Sequence, residues 1–328
     1  MTRKEKQIYK SGRKNPNGYF SYPYHFFKKK YIPVIVVILL ICSILIHILN
    51  EFNVVSFNKI VSGLGIVNGV ECQESDFVVY YLDVGQSDCT VVVCEDEVLV
   101  IDSGTLNRIF EIRTSLFTLD INKIDYLLVT HQHDDHMSGA AEIINHYQVS
   151  NILMPKISSD NSIESLTYDN LIKTIADKGV NPIAVSSGYS FKVGAALVEI
   201  LSPVKQNKNL NNMSVVLKIT YGDTTFLFQG DAEKEIEKQL LRSGIDISAD
   251  VLKIGHHGSN TSSDNNFIKA VNPDYAVISC ADDNSFGHPH LSVVKRLYEN
   301  NITPYVTSLN GNVTITSDGK NIMVISEK

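Results

Sequence analysis

The stretch Leu127-Leu128-Val129-Thr130-His131-Gln132-His133-Asp134-Asp135-His136-Met137-Ser138-Gly139 constrains this chain more than any other. An apolar run leads into three histidines and two aspartates within six residues. It cannot continue as a buried strand, because carboxylates without partners are costly to desolvate. If the backbone stays extended after Thr130, His131 and His133 point to the same side. A turn into a helix near Met137 then swings Asp135 and His136 towards a second position. Imidazole nitrogen and carboxylate oxygen are donors that divalent ions such as zinc prefer. One loop can therefore offer two ligands to each of two adjacent ions. The plainer alternative is a polar loop with Asp135 capping a helix. The crowding of imidazoles favours metal.

Thr-His-x-His-x-Asp-His after a strand resembles the signature of the metallo-β-lactamase fold, and the resemblance runs from about Phe77 to the C-terminus. Within it, Tyr81-Leu82-Asp83-Val84-Gly85-Gln86-Ser87-Asp88, Lys253-Ile254-Gly255-His256-His257-Gly258-Ser259 and Phe286-Gly287-His288-Pro289-His290 resemble the hydrolase domain of the ComEC competence-protein family. The resemblance implies an αββα four-layer sandwich over 77–328. Strand-like runs alternating with helical ones in both halves agree with two packed sheets and outer helices.

Charge is distributed unevenly. Residues 1–30 hold nine Lys/Arg against one acid, Glu5, giving +8 there and −15 over the rest of the chain. The acidic remainder argues against a broad electrostatic footprint for nucleic acid. Residues 31–49 run for nineteen positions without Asp, Glu, Lys or Arg. That length suits one crossing of a hydrocarbon core about 30 Å thick. The long basic stretch before it, and no small-x-small site close after it, favour an uncleaved anchor over a signal peptide. Lys28, Lys29 and Lys30 on the N-terminal flank put residues 1–30 in the cytoplasm and the C-terminal domain outside the cell membrane. Residues 50–76 read as a linker. Cys42, Cys72, Cys89, Cys94 and Cys280 form no CxxC pair, which excludes the usual zinc-thiolate pattern.

Asp231 ends the apolar run Phe226–Phe228 after Gln229-Gly230. It could cap the following helix, and the resemblance gives it the role of bridging both metals. One of His256 and His257 would complete the ion held by Asp135 and His136, with His256 the expected ligand and His257 the fallback. The other would donate a hydrogen bond to a substrate oxyanion. Asp102 and the aspartates of Asp83–Asp88 are expected to orient the site from behind, and Asp88 has a further chance of approaching the metals. His288 is expected to contact substrate phosphate, with His290 the weaker candidate.

Many members of the superfamily supply a third histidine to the first metal, and Lys208-Asn209-Leu210-Asn211-Asn212-Met213-Ser214 has none. ComEC-like sequences resemble this one there. The first ion, on His131, His133 and Asp231, would then be completed by water with Asn212 or Ser214, which tilts the site towards manganese.

Two divalent ions, zinc or manganese, sharing Asp231 would lower the pKa of a water between them and clamp a phosphoryl oxygen. No glycine-rich phosphate loop of the Walker or dinucleotide type is evident, so no nucleotide cofactor is expected. The expected activity is a membrane-anchored phosphodiesterase or nuclease, with DNA suggested by the resemblance and Asp135, His257 and His288 nearest the chemistry. Alternatives are hydrolysis of choline-phosphate or other wall-linked esters, or a non-catalytic metal-binding surface module.

Overall fold

Phe77-Val78-Val79-Tyr80-Tyr81 is apolar throughout, and the fold uses both of its faces. Phe77, Val79 and Tyr81 point into a core shared with Phe226 and Phe228, while Tyr80 packs on the opposite side among Leu82, Val91 and Val100. Such runs suit a sheet covered on both faces.

The computed structural model describes residues 36–37, 76–156 and 165–328. The expected basic tail, the membrane segment 31–49 and the linker thus lie outside the described residues, apart from Val36, Val37 and Asp76. No helix among the described residues is long and apolar enough to cross a membrane.

The strands are β1 (Phe77–Tyr81), β2 (Thr90–Cys94), β3 (Glu97–Ile101), β4 (Lys123–Leu128), β5 (Gln148–Pro155), β6 (Asn181–Val185), β7 (Ser190–Val193) and β8 (Ala196–Ser202). There follow β9 (Val216–Tyr221), β10 (Thr224–Phe228), β11 (Val251–Lys253), β12 (Tyr275–Ile278), β13 (Thr303–Val306), β14 (Val313–Ser317) and β15 (Ile322–Ser326). One sheet has the order β15-β14-β1-β2-β3-β4-β5-β6, the other β13-β12-β11-β10-β9-β8-β7. Strands β3 to β6 and β10 to β13 pair in parallel, and the remaining pairs are antiparallel.

Helices cover the outer faces. Ile112 and Leu116 (helix Ile109–Thr118), Ile143 and Ile144 (helix Ala140–His146) and Leu171 and Ile175 (helix Leu166–Lys178) pack on the first sheet. Ile236 and Leu240, Phe267 and Ile268, and Val293 and Leu297 do the same on the second. The arrangement is the expected two-sheet α/β sandwich. Phe226 and Phe228 lie in the central core while Leu227 faces the helices, so one residue of slip would invert all three.

The local structure departs from the sequence pattern in the helix after the His/Asp stretch and at the sheet edges. The helix expected to open near Met137 is instead two, Asp134–Met137 and Ala140–His146, broken at Ser138-Gly139. A Cβ on Gly139 would lie 2.1 Å from the Ser103 carbonyl oxygen, so backbone passes backbone here and only glycine fits. Sequence patterning also missed β6 and β7, the edge strands at one end of each sheet. β6 begins Asn181-Pro182 and is exposed at most positions, so it carries little apolar signal.

Candidate metal centre

Ligands in open α/β sheets gather beyond the carboxyl ends of parallel strands. Here Asp102 follows β3, Thr130–His136 follow β4, Asp231 follows β10, His256-His257 follow β11 and Ser279 follows β12. Gly230 has φ +52°, and a Cβ there would meet the Thr130 and Ser214 side chains at 3.1 Å. Glycine therefore lets the β10 end close against the β4 loop, which delivers Asp231.

Three groups of close-lying donors occur among the described residues. Asp88, Asp102 and His136 make up a set behind His136, with Asp102 Oδ2 2.8 Å from His136 Nδ1, and the other two groups converge on one carboxylate. His131, His133 and Asp231 form one, and Asp135, His136, His257 and Asp231 the other, each with ligating atoms within 4.8 Å of one another. Asp231 belongs to both. His131 Nε2 is 3.0 Å from His133 Nδ1 and 3.7 Å from Asp231 Oδ2. His136 Nε2 is 3.3 Å from Asp231 Oδ1, and His257 Nε2 is 3.2 Å from Asp135 Oδ2. His136 Nε2 and Asp231 Oδ1 are buried and make no hydrogen bond. Buried polar atoms are ordinarily satisfied, so orphans facing one point fit a cation in the space between. The donors are nitrogen and oxygen only, which suits zinc or manganese.

The far side of each ring is held. Asp102 Oδ2 accepts from His136 Nδ1 at 2.8 Å and from Thr130 Oγ1 at 2.8 Å, while its Oδ1 accepts from the Thr130 amide. With its proton given to Asp102, Thr130 Oγ1 can accept from His131 Nδ1 at 3.2 Å. His257 Nδ1 donates to the Ser279 carbonyl at 3.0 Å. All three rings are thereby set with Nε2 towards the cluster, the outer arrangement that metal-binding histidines use. Asp102 adopts φ +60°, a conformation rare outside glycine that recurs at functional sites.

The structure places His257, not His256, with Asp135 and His136. His256 and His257 have φ of +51° and +52°, and Gly258 of +81°. Consecutive left-handed residues turn His257 inward. His256 Nδ1 meets Thr261 Oγ1 at 3.1 Å, and its Nε2 lies 3.8 Å from Asp231 Oδ2, at the margin of the first group. Neither Asn212 nor Ser214 presents a free atom as the expected extra ligand. Asn212 donates to Glu235 and accepts from the Glu233 amide, and Ser214 Oγ accepts from the Asp231 amide beside His131 Nδ1. They brace the loop that carries Asp231.

Sequence reading missed Lys253, which is buried in β11 with its Nζ 3.0 and 2.9 Å from the two oxygens of Asp88. The pair joins the two sheets, and Asp88 Oδ1 lies 3.5 Å from His257 Nδ1. Its only local signal was a lysine within Val251-Leu252-Lys253-Ile254. Lys253→Met strands a buried carboxylate and should cost about 3–5 kcal/mol, whereas adding Asp88→Asn should recover most of it. Denaturant unfolding of the two variants measures this, and equal losses would mean that the pair does not hold the sheets.

His288 borders the site. Gln86 Oε1 accepts from the Ala281 amide, which leaves Gln86 Nε2 to donate to His288 Nδ1 at 3.2 Å. His288 therefore carries its proton on Nε2. Burial and the neighbouring histidines push its pKa down to about 4, so it is a neutral donor at pH 7. His290 Nδ1 is occupied, accepting from the Asn260 amide.

Without metal, the cluster holds protons. Burial would lower His257, but Asp231, Asp88 and the bond to Asp135 outweigh it and raise its pKa to about 10. His136 is raised well above its usual range against the same burial, by Asp231 and Asp102. His131 is driven down, by burial first and then by His136. Burial opposes ionisation of Asp231, yet His136 and His257 hold it well below the ordinary carboxylate range.

The model of the Metallo-beta-lactamase superfamily matches residues 82–282. Among curated relatives, ComE operon protein 3 of Bacillus subtilis is 28% identical over 74% of this chain and 33% of its own length. Recombination protein 2 of Haemophilus influenzae is 28% identical over 71% of this chain and 28% of its own length. Competence protein ComA of Neisseria gonorrhoeae is 38% identical over 34% of this chain and 17% of its own. The chain thus spans about a third or less of the length of these ComEC-family relatives. The diiron β-hydroxylase CmlA of Streptomyces venezuelae has the same fold, with a TM-score of 0.51, 17% identity, and 75% of this chain and 55% of its own covered.

Proposed function

Because this chain belongs to the metallo-β-lactamase superfamily, we propose that it is a dinuclear metallohydrolase of phosphodiesters, with nucleic acid strands as substrates. The observation that supports this most is Asp231, one buried carboxylate shared by two groups of donors and leaving an oxygen without a partner. His131, His133 and Asp231 would hold one ion, and Asp135, His136, His257 and Asp231 the other. The role expected of His256 thus passes to His257, and His256 becomes a lining residue. When bound, a pair of divalent cations lowers the pKa of water and neutralises charge growing on a phosphoryl oxygen. Asp102, Thr130 and the Ser279 carbonyl keep the imidazoles in the tautomer that leaves Nε2 free for this. His288 would donate from Nε2 to a phosphate oxygen, a stabilising contact that needs no proton transfer. No side-chain nucleophile is required.

The nucleic acid part of the reading draws on the relatives named Recombination protein 2 and Competence protein ComA, while the donor set supports the metal part alone. The test is release of p-nitrophenol from bis-p-nitrophenyl phosphate by the purified chain. Chelation should abolish it and manganese or zinc restore it. A chain that takes up metal yet cleaves no diester would be a binding module instead.

We also propose that residues 31–49 anchor the chain, with 1–30 cytoplasmic, 50–76 a linker and 77–328 outside. The support is the uncharged nineteen-residue run with three lysines on one flank. Protease added to intact protoplasts should digest the C-terminal domain, and full protection would refute the topology.

A further inference from the structure

Three rings lie in series outward from the candidate metal centre. His257 and His288 have centroids 6.3 Å apart with planes 23° from parallel, and His288 and Phe286 follow at 5.5 Å and 21°. These are offset-stacked separations. The series ends on Phe286, a residue 64% exposed. Scattered exposed apolar residues are ordinary, but this one is held in place. Asn284 Oδ1 accepts from the amides of Phe286 and His288, and Asn284 Nδ2 donates to the carbonyls of Ala281 and His288. The loop therefore fixes an aromatic face towards solvent at little further cost in entropy.

From this geometry we infer that Phe286 is a stacking platform for an unpaired nucleobase of the strand whose phosphate sits at the metal centre. The inference rests on the phosphodiesterase reading and names what that site recognises beyond phosphate. A nucleotide joins base to phosphate through one sugar, so the two subsites must be neighbours, and His288 borders both. Bases within a duplex already have both faces covered, so a base on Phe286 belongs to a single strand or a frayed end. Stacking draws on the π-face of the base, so it remains available to a domain with −15 net charge over residues 31–328.

The chain has no tryptophan, so Phe286→Trp places a unique fluorophore on the platform. The full chain, purified in detergent and loaded with manganese, is titrated with a hexathymidine strand whose phosphorothioate linkages slow turnover. A second strand has the same backbone but no bases. The thymidine strand should quench the fluorophore and the abasic strand should not. Phe286→Ala should bind the labelled thymidine strand roughly 5- to 150-fold more weakly than the parent, the worth of about 1–3 kcal/mol per stacked base. It should bind the abasic strand as the parent does. Bound thymidine strand without quenching, equal affinities of Phe286→Ala and parent, or no binding of either strand would overturn the inference. Strand binding with quenching but no diester hydrolysis would instead overturn the phosphodiesterase reading alone.

Discussion

His257→Ala should lower metal-dependent diester hydrolysis by more than the roughly 10- to 100-fold typical of losing an outer hydrogen-bond partner of a metal ligand. His256→Ala should stay within about 10-fold of the parent. The contrast follows from the backbone. Two left-handed residues in succession aim the ring of His257 at Asp135 and Asp231, and leave His256 against Thr261. The Nδ1–H of His257 is committed to the Ser279 carbonyl, so its Nε2, which faces Asp135, is the nitrogen available to a metal. Initial rates on bis-p-nitrophenyl phosphate, with metal content measured on the same samples, compare the two variants. A larger loss from His256→Ala would reverse the assignment.

Asp231→Asn should have the larger effect on metal. The substitution keeps the shape of the side chain and removes the negative charge that both donor groups share. Each group would keep histidines but lose its common anion, so hydrolysis should fall on the order of 10³-fold or more, beyond what loss of an outer partner costs. The metal-free protein gives an independent readout. His257 owes its pKa of about 10 partly to Asp231, so the variant should titrate this imidazole at lower pH. His257 and His136 are raised in the folded chain. Their contribution to metal-free stability is therefore complete below about pH 6.5. It fades as pH climbs towards 10. Asp231→Asn should flatten that decline. An unchanged decline would show that Asp231 does not face these rings.

How much of this was legible in the sequence depends on the range of the interaction. The pairing of His131 with His133 followed from alternation along an extended segment, and the structure sets their facing nitrogens 3.0 Å apart. Asp102 was expected behind the site, and it accepts from Thr130 and His136. The choice between His256 and His257 could not be read, because strand alternation fails where φ turns positive. The Lys253–Asp88 pair spans 165 residues, and no local pattern carries such a contact. Either Asn212 or Ser214 is expected, with water, to complete the first ion, because their loop stands where many superfamily members place a histidine. The loop is near, but their polar atoms are spent on backbone amides, Glu235 and His131. The edge strands β6 and β7 escaped because half-exposed edges lack the apolar run that marks the central strands.

Calorimetric titration of the chelator-stripped chain with zinc or manganese, repeated in two buffers of different ionisation enthalpy, tests the central claim most directly. Ligand imidazoles must be neutral, so metal uptake has to displace the protons held on His136 and His257. The expected result is about two ions per chain for the two donor groups, with proton release that differs in apparent heat between the buffers. A single ion, or none, or uptake without proton release, would contradict a dinuclear centre built on Asp231.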